Sequence, residues 1–230
     1  SELKQIILST SALREGLEFD TLQKKNLHNY DHNLAQLRYE TILSLCNHYQ
    51  VKMPHAESVK QIALTMFDDL KKLHKLGPND REIMEAAAML HDVGYFISHD
   101  QHHRHSYYLI SQSVMQGFNN DESEMIALIS RYHRKSVPKR KHPEYAILSE
   151  EKQYKLKVMA GILRIAEGID RRQMQIIRKV RAIIRDKKII ILLNPDPKKI
   201  APDIEQREAA RRTDLLEEVL ATPIEFIVPD

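Results

Sequence analysis

Two adjacent residues, His91 and Asp92, end an apolar stretch that runs from Ala86 to Leu90 and precedes Gly94. Neighbouring side chains on a helix point about 100° apart, so a neutral imidazole and a carboxylate can bind one cation together. We expect Gly94 to let the backbone turn away after the pair. A buried histidine beside a solvated aspartate is the other interpretation of an isolated pair. The metal interpretation therefore depends on further ligands elsewhere in the chain.

Other histidines lie at helical positions that face inward. His55 lies on the apolar stripe of the helix that begins at Pro54, and His133 follows the apolar face of another helix by one turn. A buried histidine needs a partner. In the histidine-rich segment 99–105, we expect His105 to head an apolar helix and to face inward. We expect the earlier histidines to lie in the preceding loop: His99, His102 and His103.

A helix predicted over residues 149–170 carries two carboxylates, Glu167 and Asp170, on one face of its last turn. One can complete a metal shell while the other orients a ligand or a water. Nitrogen and oxygen ligands without sulfur favour Mn, Fe, Mg, Co or Ni over a structural zinc, although zinc stays open. Either Glu167 or Asp170 can supply the late ligand, and the sequence does not choose between them.

These residues predict a site for one divalent ion or for two. The first ion is held by His55, His91, Asp92 and the late carboxylate, and the second by His105 and His133. Two ions together clamp a phosphoryl group and lower the pKa of a bridging water, which makes it a nucleophile. The prediction is a metal-dependent phosphohydrolase site with Asp92 as its catalytic carboxylate.

A basic segment follows His133 directly and contains one proline. Its cations are Arg134, Lys135, Lys139, Arg140 and Lys141. A run of this kind is either a solvated loop or an anion-binding lip. Because several cations within reach of one polyanion gain affinity by counterion release, the second interpretation predicts that the segment binds a polyanion.

Composition limits the class of protein. The 230 residues carry a net charge of only +3, and 42% of them are hydrophobic and 29% charged, as in ordinary globular domains. Cys46 is the one cysteine, which excludes a disulfide framework and fits a reducing cytoplasm. No apolar run reaches the length of a membrane span, so we expect no membrane and no specific nucleic-acid partner.

Hydrophobic periodicity predicts a mainly α fold. Helical spacing dominates residues 31–172, and β-branched runs at residues 176–184 and 188–193 then predict a hairpin. An amphipathic helix over residues 203–220 and a strand over residues 223–228 complete a small β-β-α-β sheet domain, residues 173–230. Residues 1–30 contain short strand-like pieces that cannot stand alone, and we expect them to be the trailing edge of a larger domain. The absence of an initiator methionine is weak support for a fragment.

The order of the candidate ligands resembles the HD superfamily of metal-dependent phosphohydrolases. More narrowly, the chain resembles the C-terminal part of the exopolyphosphatase/guanosine pentaphosphatase (Ppx/GppA) family. The resemblance is carried by residues 11–16, His55-Ala56, residues 90–95, residues 102–106, residues 131–134 and residues 163–166. One departure is that Glu167 stands where HD proteins usually carry aspartate, so that either Glu167 still ligates, or Asp170 substitutes for it, or the affinity for metal is reduced.

The resemblance implies an HD-type helical bundle without the principal active site. In this family an actin-like pair of N-terminal domains hydrolyses the phosphoanhydride, and residues 1–30 correspond to its end. Two functions follow as expectations. The chain is either an accessory part of an exopolyphosphatase, assisting polyphosphate binding and homodimerisation with a divalent metal, or a stand-alone HD phosphohydrolase acting on nucleotides or phosphate esters.

Overall fold

The computed structural model describes the backbone of residues 30–229 and the side chains of residues 34–229. The predictions for residues 1–29 lie outside the described residues. The helices are α1 (Tyr30–His48), α2 (Met53–Asp69), α3 (Lys71–His74), α4 (Pro78–Leu90), α5 (His102–Gln112), α6 (Asn120–Tyr132), α7 (Pro143–Ala146), α8 (Glu150–Ile169), α9 (Asp203–Ala210) and α10 (Asp214–Leu220), with a 3₁₀ turn at Val93–Phe96. The strands are β1 (Ile177–Arg185), β2 (Lys188–Pro195) and β3 (Ile224–Ile227). The mainly α prediction with a small sheet near the C-terminus is confirmed.

Local capping chemistry sets several helix starts. Asn119 accepts a hydrogen bond from the backbone of Glu122, whose carboxylate accepts one from the Asn119 backbone, both at 2.9 Å. This reciprocal pair satisfies two N–H groups that the first turn of α6 leaves free. Ser149 caps α8 with a single hydrogen bond, in which its hydroxyl accepts the backbone N–H of Lys152. Both caps are local, because the cap and its partner are three residues apart.

Helix α8 lies at the centre of the structure. Every residue from Val158 to Ile169 is buried, as expected for a helix that is covered on all sides. It packs against α2 and α6 on one side and against α9 and α10 on the other. Gly168 permits the closest of these contacts, since a Cβ there would lie 2.8 Å from the Ala209 backbone in α9. The last turn of α8 is thereby held beside the ends of α2, α4 and α6.

The C-terminal sheet has the strand order β1-β2-β3. Strands β1 and β2 form the predicted hairpin, whose turn residues Asp186 and Lys187 adopt positive φ angles of 51° and 60°. Strand β3 pairs with β2 in parallel. The helix predicted over residues 203–220 is wrong in one respect: it is divided into α9 and α10, with Thr213 at the start of the second. Residues 31–172 and 173–230, predicted as two domains, share one contiguous apolar core.

Among the described helices, none is both long enough and apolar enough to cross a membrane.

Candidate metal centre

Four histidine rings surround the carboxylate of Asp92. His55 comes from α2, His91 ends α4, His102 begins α5 and His133 follows α6. The Asp92 Oδ2 atom lies 3.4 Å from His91 Nε2 and 3.6 Å from His55 Nε2. Its Oδ1 atom lies 3.3 Å from His102 Nε2 and 3.7 Å from His133 Nε2. The four rings are buried, and Asp92 keeps 11% of its side chain exposed.

The other ring nitrogen of each histidine already has a partner. Three of the Nδ1 atoms face the backbone carbonyl three residues earlier, an acceptor that can only receive a proton. These contacts are His91 to Ala88 at 2.7 Å, His102 to His99 at 3.1 Å and His133 to Ser130 at 2.6 Å. They place the proton on Nδ1 in the neutral rings, so that each Nε2 lone pair points toward Asp92.

Asp170, the residue that ends α8, orients the fourth ring. Its Oδ2 atom lies 2.8 Å from His55 Nδ1, and its Oδ1 atom accepts the backbone N–H of Gln175 at 2.9 Å. A carboxylate that holds the far nitrogen of a histidine in this way fixes the ring and increases its basicity toward a cation. Of the two roles foreseen for the late carboxylates, the structure places Asp170 in the orienting one.

The four Nε2 lone pairs and the Asp92 carboxylate together form a set of donor atoms suited to a cation. His55 Nε2 and His91 Nε2 are buried and have no hydrogen-bond partner among the described residues. His102 Nε2 and His133 Nε2 lie 3.3 Å apart, and with both protons on Nδ1 neither can donate to the other. Two lone pairs that face each other beside a carboxylate need either a shared proton or a metal ion between them.

Burial keeps the ligands in the protonation states that bind metals. Desolvation lowers the pKa of His91 and lowers that of His133 well below its ordinary value, partly offset in each by the charge of Asp92. Burial alone would raise the pKa of Asp92, but its contacts with His91, His102 and His133 hold that pKa well below the ordinary value. Near neutral pH the two rings are therefore neutral and the carboxylate is ionised, as metal binding requires.

The donor atoms fit a divalent ion in two overlapping groups. One group is His55, His91 and Asp92, and the other is Asp92, His102 and His133; within each group all ligand atoms lie within 4.8 Å of one another. Ligands at roughly 2.0–2.2 Å from one ion are separated from each other by about 3.0–3.6 Å, which matches the distances in the first group. Both groups share Asp92, so a second ion would use the other oxygen of the same carboxylate.

Two predicted ligands lie elsewhere. His105 is half-buried and belongs to neither donor group. The expectation that His102 and His103 lie in a loop is wrong, because α5 begins at His102 and both rings are buried. Residues three apart on a helix share a face approximately, so the docking of α5, and not the spacing, selects His102 over His105.

Glu167 is also kept out of both donor groups. Its carboxylate lies 3.0 Å from Arg171 Nη1 and 2.7 Å from Arg212 Nη1, and Arg212 comes from the turn between α9 and α10. Two guanidinium groups neutralise the carboxylate and hold it away from Asp92. The predicted late ligand is therefore replaced by Asp170 in an orienting role and by His102 as a donor.

Gly94 and Ser106 fasten α5 to the end of α4. Ser106 Oγ donates to His91 O at 2.6 Å and accepts the Gly94 N–H at 2.9 Å. A Cβ on Gly94 would lie 2.0 Å from His102 O, so the glycine is needed for this close approach more than for the turn expected from the sequence. Tyr95 then stacks on His102 with ring centroids 4.0 Å apart. Sequence reasoning assigned His102 to a loop and gave Ser106 and Tyr95 no role. The available signal was that all three lie in the segments that carry the family resemblance, residues 90–95 and 102–106.

The basic segment forms the connection between α6 and α7. Lys135 and the cations at residues 139–141 are exposed, and none of the five predicted cations forms a salt bridge within the described part of the chain. Pro138 is buried and Val137 packs against the core. The segment is therefore anchored at its middle, while its charged ends remain free.

Comparison with known proteins decides the family. The family model described as Ppx/GppA phosphatase, domain III, matches residues 37–216. The chain belongs to the Ppx/GppA phosphatase family. The match includes every residue of the cluster around Asp92 and the whole of the basic segment, so this site belongs to domain III.

Curated relatives are enzymes named guanosine-5'-triphosphate,3'-diphosphate pyrophosphatase. The chain is 29% identical over 139 residues to the protein from Pseudoalteromonas translucida, covering 60% of this chain and 27% of the relative. It is 32% identical over 136 residues to the protein from Pseudoalteromonas atlantica, covering 59% and 26%. It is 31% identical over 128 residues to the protein from Aeromonas hydrophila, covering 55% and 24%. The chain thus matches about a quarter of the length of these relatives.

Proposed function

We propose that this chain is a divalent-metal-binding helical part of a Ppx/GppA phosphohydrolase. One ion is held by His55, His91 and Asp92. The observation that carries the proposal is the pair of buried Nε2 atoms on His55 and His91, which face Asp92 and have no hydrogen-bond partner among the described residues. A buried donor set of this kind costs free energy unless a cation completes it.

The surrounding residues support phosphate chemistry at such a site. A divalent ion there would polarise a phosphoryl oxygen and lower the pKa of a bound water. Asp170 keeps the His55 ring oriented, and neutral His91 keeps its lone pair free for the ion. The cations of residues 134–141, which form no salt bridge with any described residue, lie next to His133 in the chain and would attract a polyanion.

The substrate class follows from the family and from this basic segment. We propose that the complete protein acts on a phosphate chain, either polyphosphate or a phosphorylated nucleotide of the kind named for the relatives. In this proposal the helical domain increases the affinity of the complete protein for its phosphate-chain substrate and assists homodimerisation. Cytoplasmic localisation stays a prediction from composition.

Metal content tests the central proposal. Protein purified with added Mn²⁺ should retain a stoichiometric ion in native mass spectrometry, and Asp92→Ala should lose it. Asp121→Ala is the matched control, since Asp121 is exposed and, among the described residues, forms a salt bridge only with Lys152 on the surface. Wild-type protein that takes up no divalent ion by calorimetry would show that the cluster holds a proton, and the metal proposal would be dropped.

A second candidate function is hydrolysis by this chain alone. It is favoured by the second donor group, because Asp92 also faces His102 and His133 and two ions sharing one carboxylate can clamp a phosphoryl group. Release of phosphate from nucleotides and phosphate monoesters by the isolated chain, lost in Asp92→Ala and kept in Asp121→Ala, would support it. Metal-loaded protein with no turnover would leave only the accessory function.

Polyphosphate binding tests the basic segment. Changing Lys139, Arg140 and Lys141 together to Ser should weaken binding of long-chain polyphosphate and reduce its salt dependence, because fewer counterions are released. These side chains are exposed, so stability should change by less than about 0.5 kcal/mol. The control changes three exposed lysines elsewhere to Ser: Lys71, Lys72 and Lys198. An equal dependence of polyphosphate affinity on salt concentration in the two triple variants would show that the basic segment does not take part in polyphosphate binding.

A further inference from the structure

A separate cavity of about 250 Å³ lies beside the start of α5, the end of α6 and the basic segment. The residues that matter for its chemistry are Asp100, His103, Arg104, Arg131, Lys135 and Ser136. None of the ligand atoms around Asp92 belongs to its lining. Because one water takes about 30 Å³ of liquid volume, the cavity has room for a small oxyanion and its remaining hydration.

The lining carries more positive than negative charge. Arg104, Arg131 and Lys135 contribute three cations, and Asp100 is the carboxylate among the lining residues. Arg131 is already paired with Glu144 at 2.8 Å. Arg104 and Lys135 form no salt bridge within the described residues, so both are available to an anion that enters the cavity.

His103 adds an imidazole that has no hydrogen-bond partner among the described residues. The residue is 8% exposed, and neither ring nitrogen makes a hydrogen bond within the described part of the chain. The neighbouring His102, by contrast, uses both of its nitrogens in the cluster around Asp92. A buried imidazole that lines a cationic cavity with an unused N–H is a suitable donor to an oxyanion.

We propose that this cavity binds a single phosphoryl group, with inorganic phosphate as the simplest ligand. Arg104 and Lys135 supply the charge, and Arg131, His103 and the Ser136 hydroxyl supply further donors. Asp100 gives the site its selectivity. Hydrogen phosphate carries one P–O–H group that a carboxylate can accept, whereas sulfate carries none near neutral pH and is repelled.

The site is adjacent to the metal centre and separate from it. His103 and Tyr132 line the cavity, while their chain neighbours His102 and His133 face Asp92. A phosphate held here would therefore lie near the proposed ion without contacting the residues that hold it. The proposal shares Lys135 with the basic segment but does not depend on metal uptake, and the two can fail independently.

The test uses the whole chain after removal of metal by a chelator, so that phosphate cannot bind through an ion. Isothermal titration calorimetry with inorganic phosphate at constant ionic strength should give one saturable site, and sulfate should bind more weakly. Arg104→Gln should weaken phosphate about tenfold, as expected for the loss of one charge-assisted contact. Arg207→Gln, which removes an exposed arginine outside the cavity, should leave the affinity within twofold.

Four results would overturn the proposal. The first is wild-type protein that binds no phosphate, and the second is an unchanged affinity in Arg104→Gln. The third is a loss of phosphate affinity in Arg207→Gln equal to that in Arg104→Gln, which would show that only the overall charge of the protein matters. Sulfate bound as tightly as phosphate would overturn the role of Asp100 and the assignment to phosphate. Because Arg104 is exposed, its variant should melt within about a degree of wild type and keep its metal content, which separates this outcome from failure of the metal site.

Discussion

Gly94→Ala should loosen the contact that brings His102 to Asp92. The new Cβ would lie 2.0 Å from His102 O and 2.5 Å from Ser106 N, whereas an ordinary contact between carbon and oxygen needs more than about 3 Å. Both obstructing atoms belong to the backbone and cannot rotate away. The first turn of α5 must therefore move by roughly 1 Å, and it carries His102 with it.

The expected cost is about 3 kcal/mol, near the upper end of the usual range for adding atoms to a packed core. In a chain of this length, 1 kcal/mol shifts the melting temperature by about 2–4 °C, so Gly94→Ala should melt roughly 6–12 °C lower. The same variant should bind Mn²⁺ more weakly than wild type. His102 Nε2 moves away from Asp92 Oδ1 in this variant, and the Asp92 carboxylate is then held less well in its orientation. Thermal unfolding by circular dichroism and metal calorimetry measure the two effects.

Gly77→Ala is the matched control. The nearest atom to a Cβ on Gly77 is Asp80 Oδ2 at 3.9 Å, so the change creates no overlap and should cost less than about 1 kcal/mol through weaker capping. A melting temperature for Gly94→Ala within 2 °C of wild type would refute the reasoning, because it would mean that α5 can move away from Gly94 without a loss of stability.

The remaining predictions concern three buried or bridging polar residues. Asp170→Asn should lower divalent-metal affinity by about 10–100-fold, as loss of an orienting carboxylate does elsewhere, and calorimetry that gave wild-type affinity would show that the His55 ring is held by packing alone. His74 is buried, its Nδ1 accepts the Leu76 N–H at 2.9 Å, and burial lowers its pKa. The pKa of His74 is lower in the folded protein than the value of 6.5 in the unfolded chain. The contribution of the neutral His74 ring to the free energy of unfolding is therefore complete above pH 6.5 and is lost as pH falls below that value. Urea unfolding of His74→Phe should therefore show a shallower loss of stability between pH 7 and 5 than wild type, and parallel curves would contradict the assignment. Arg38 connects α1 to the loop before α6, because it donates to Gly117 O at 2.9 Å and pairs with two glutamates. Arg38→Leu should lower the free energy of unfolding, measured in urea, by about 2–4 kcal/mol. A change below about 0.5 kcal/mol would show that these contacts do not stabilise the fold.

The sequence by itself determined the parts of this protein that depend on neighbours within a few residues. The helix that ends at His91 and Asp92, the cap of α8 at Ser149 and the β1–β2 hairpin all follow from periodicity and local polar partners. The motif residues also carried the resemblance to the Ppx/GppA family, which the match over residues 37–216 confirms. Each of these signals is encoded by side chains that lie close together in the chain.

Only the tertiary structure decided which side chains meet at Asp92. His102 and His105 are three residues apart on α5, and the spacing alone favours neither. The Ser106 hydrogen bonds and the contact at Gly94 set the rotation of the helix and bring His102 inward.

Glu167 shows the same limit over a longer distance. In sequence it stands at the position of a metal ligand, but Arg212, from the turn between α9 and α10, reaches it at 2.7 Å and neutralises it. The orienting role then falls to Asp170, which contacts His55 across 115 positions of the chain. Periodicity and spacing describe one helix at a time, whereas the selection of a ligand depends on how separate helices pack and on which charges that packing brings together.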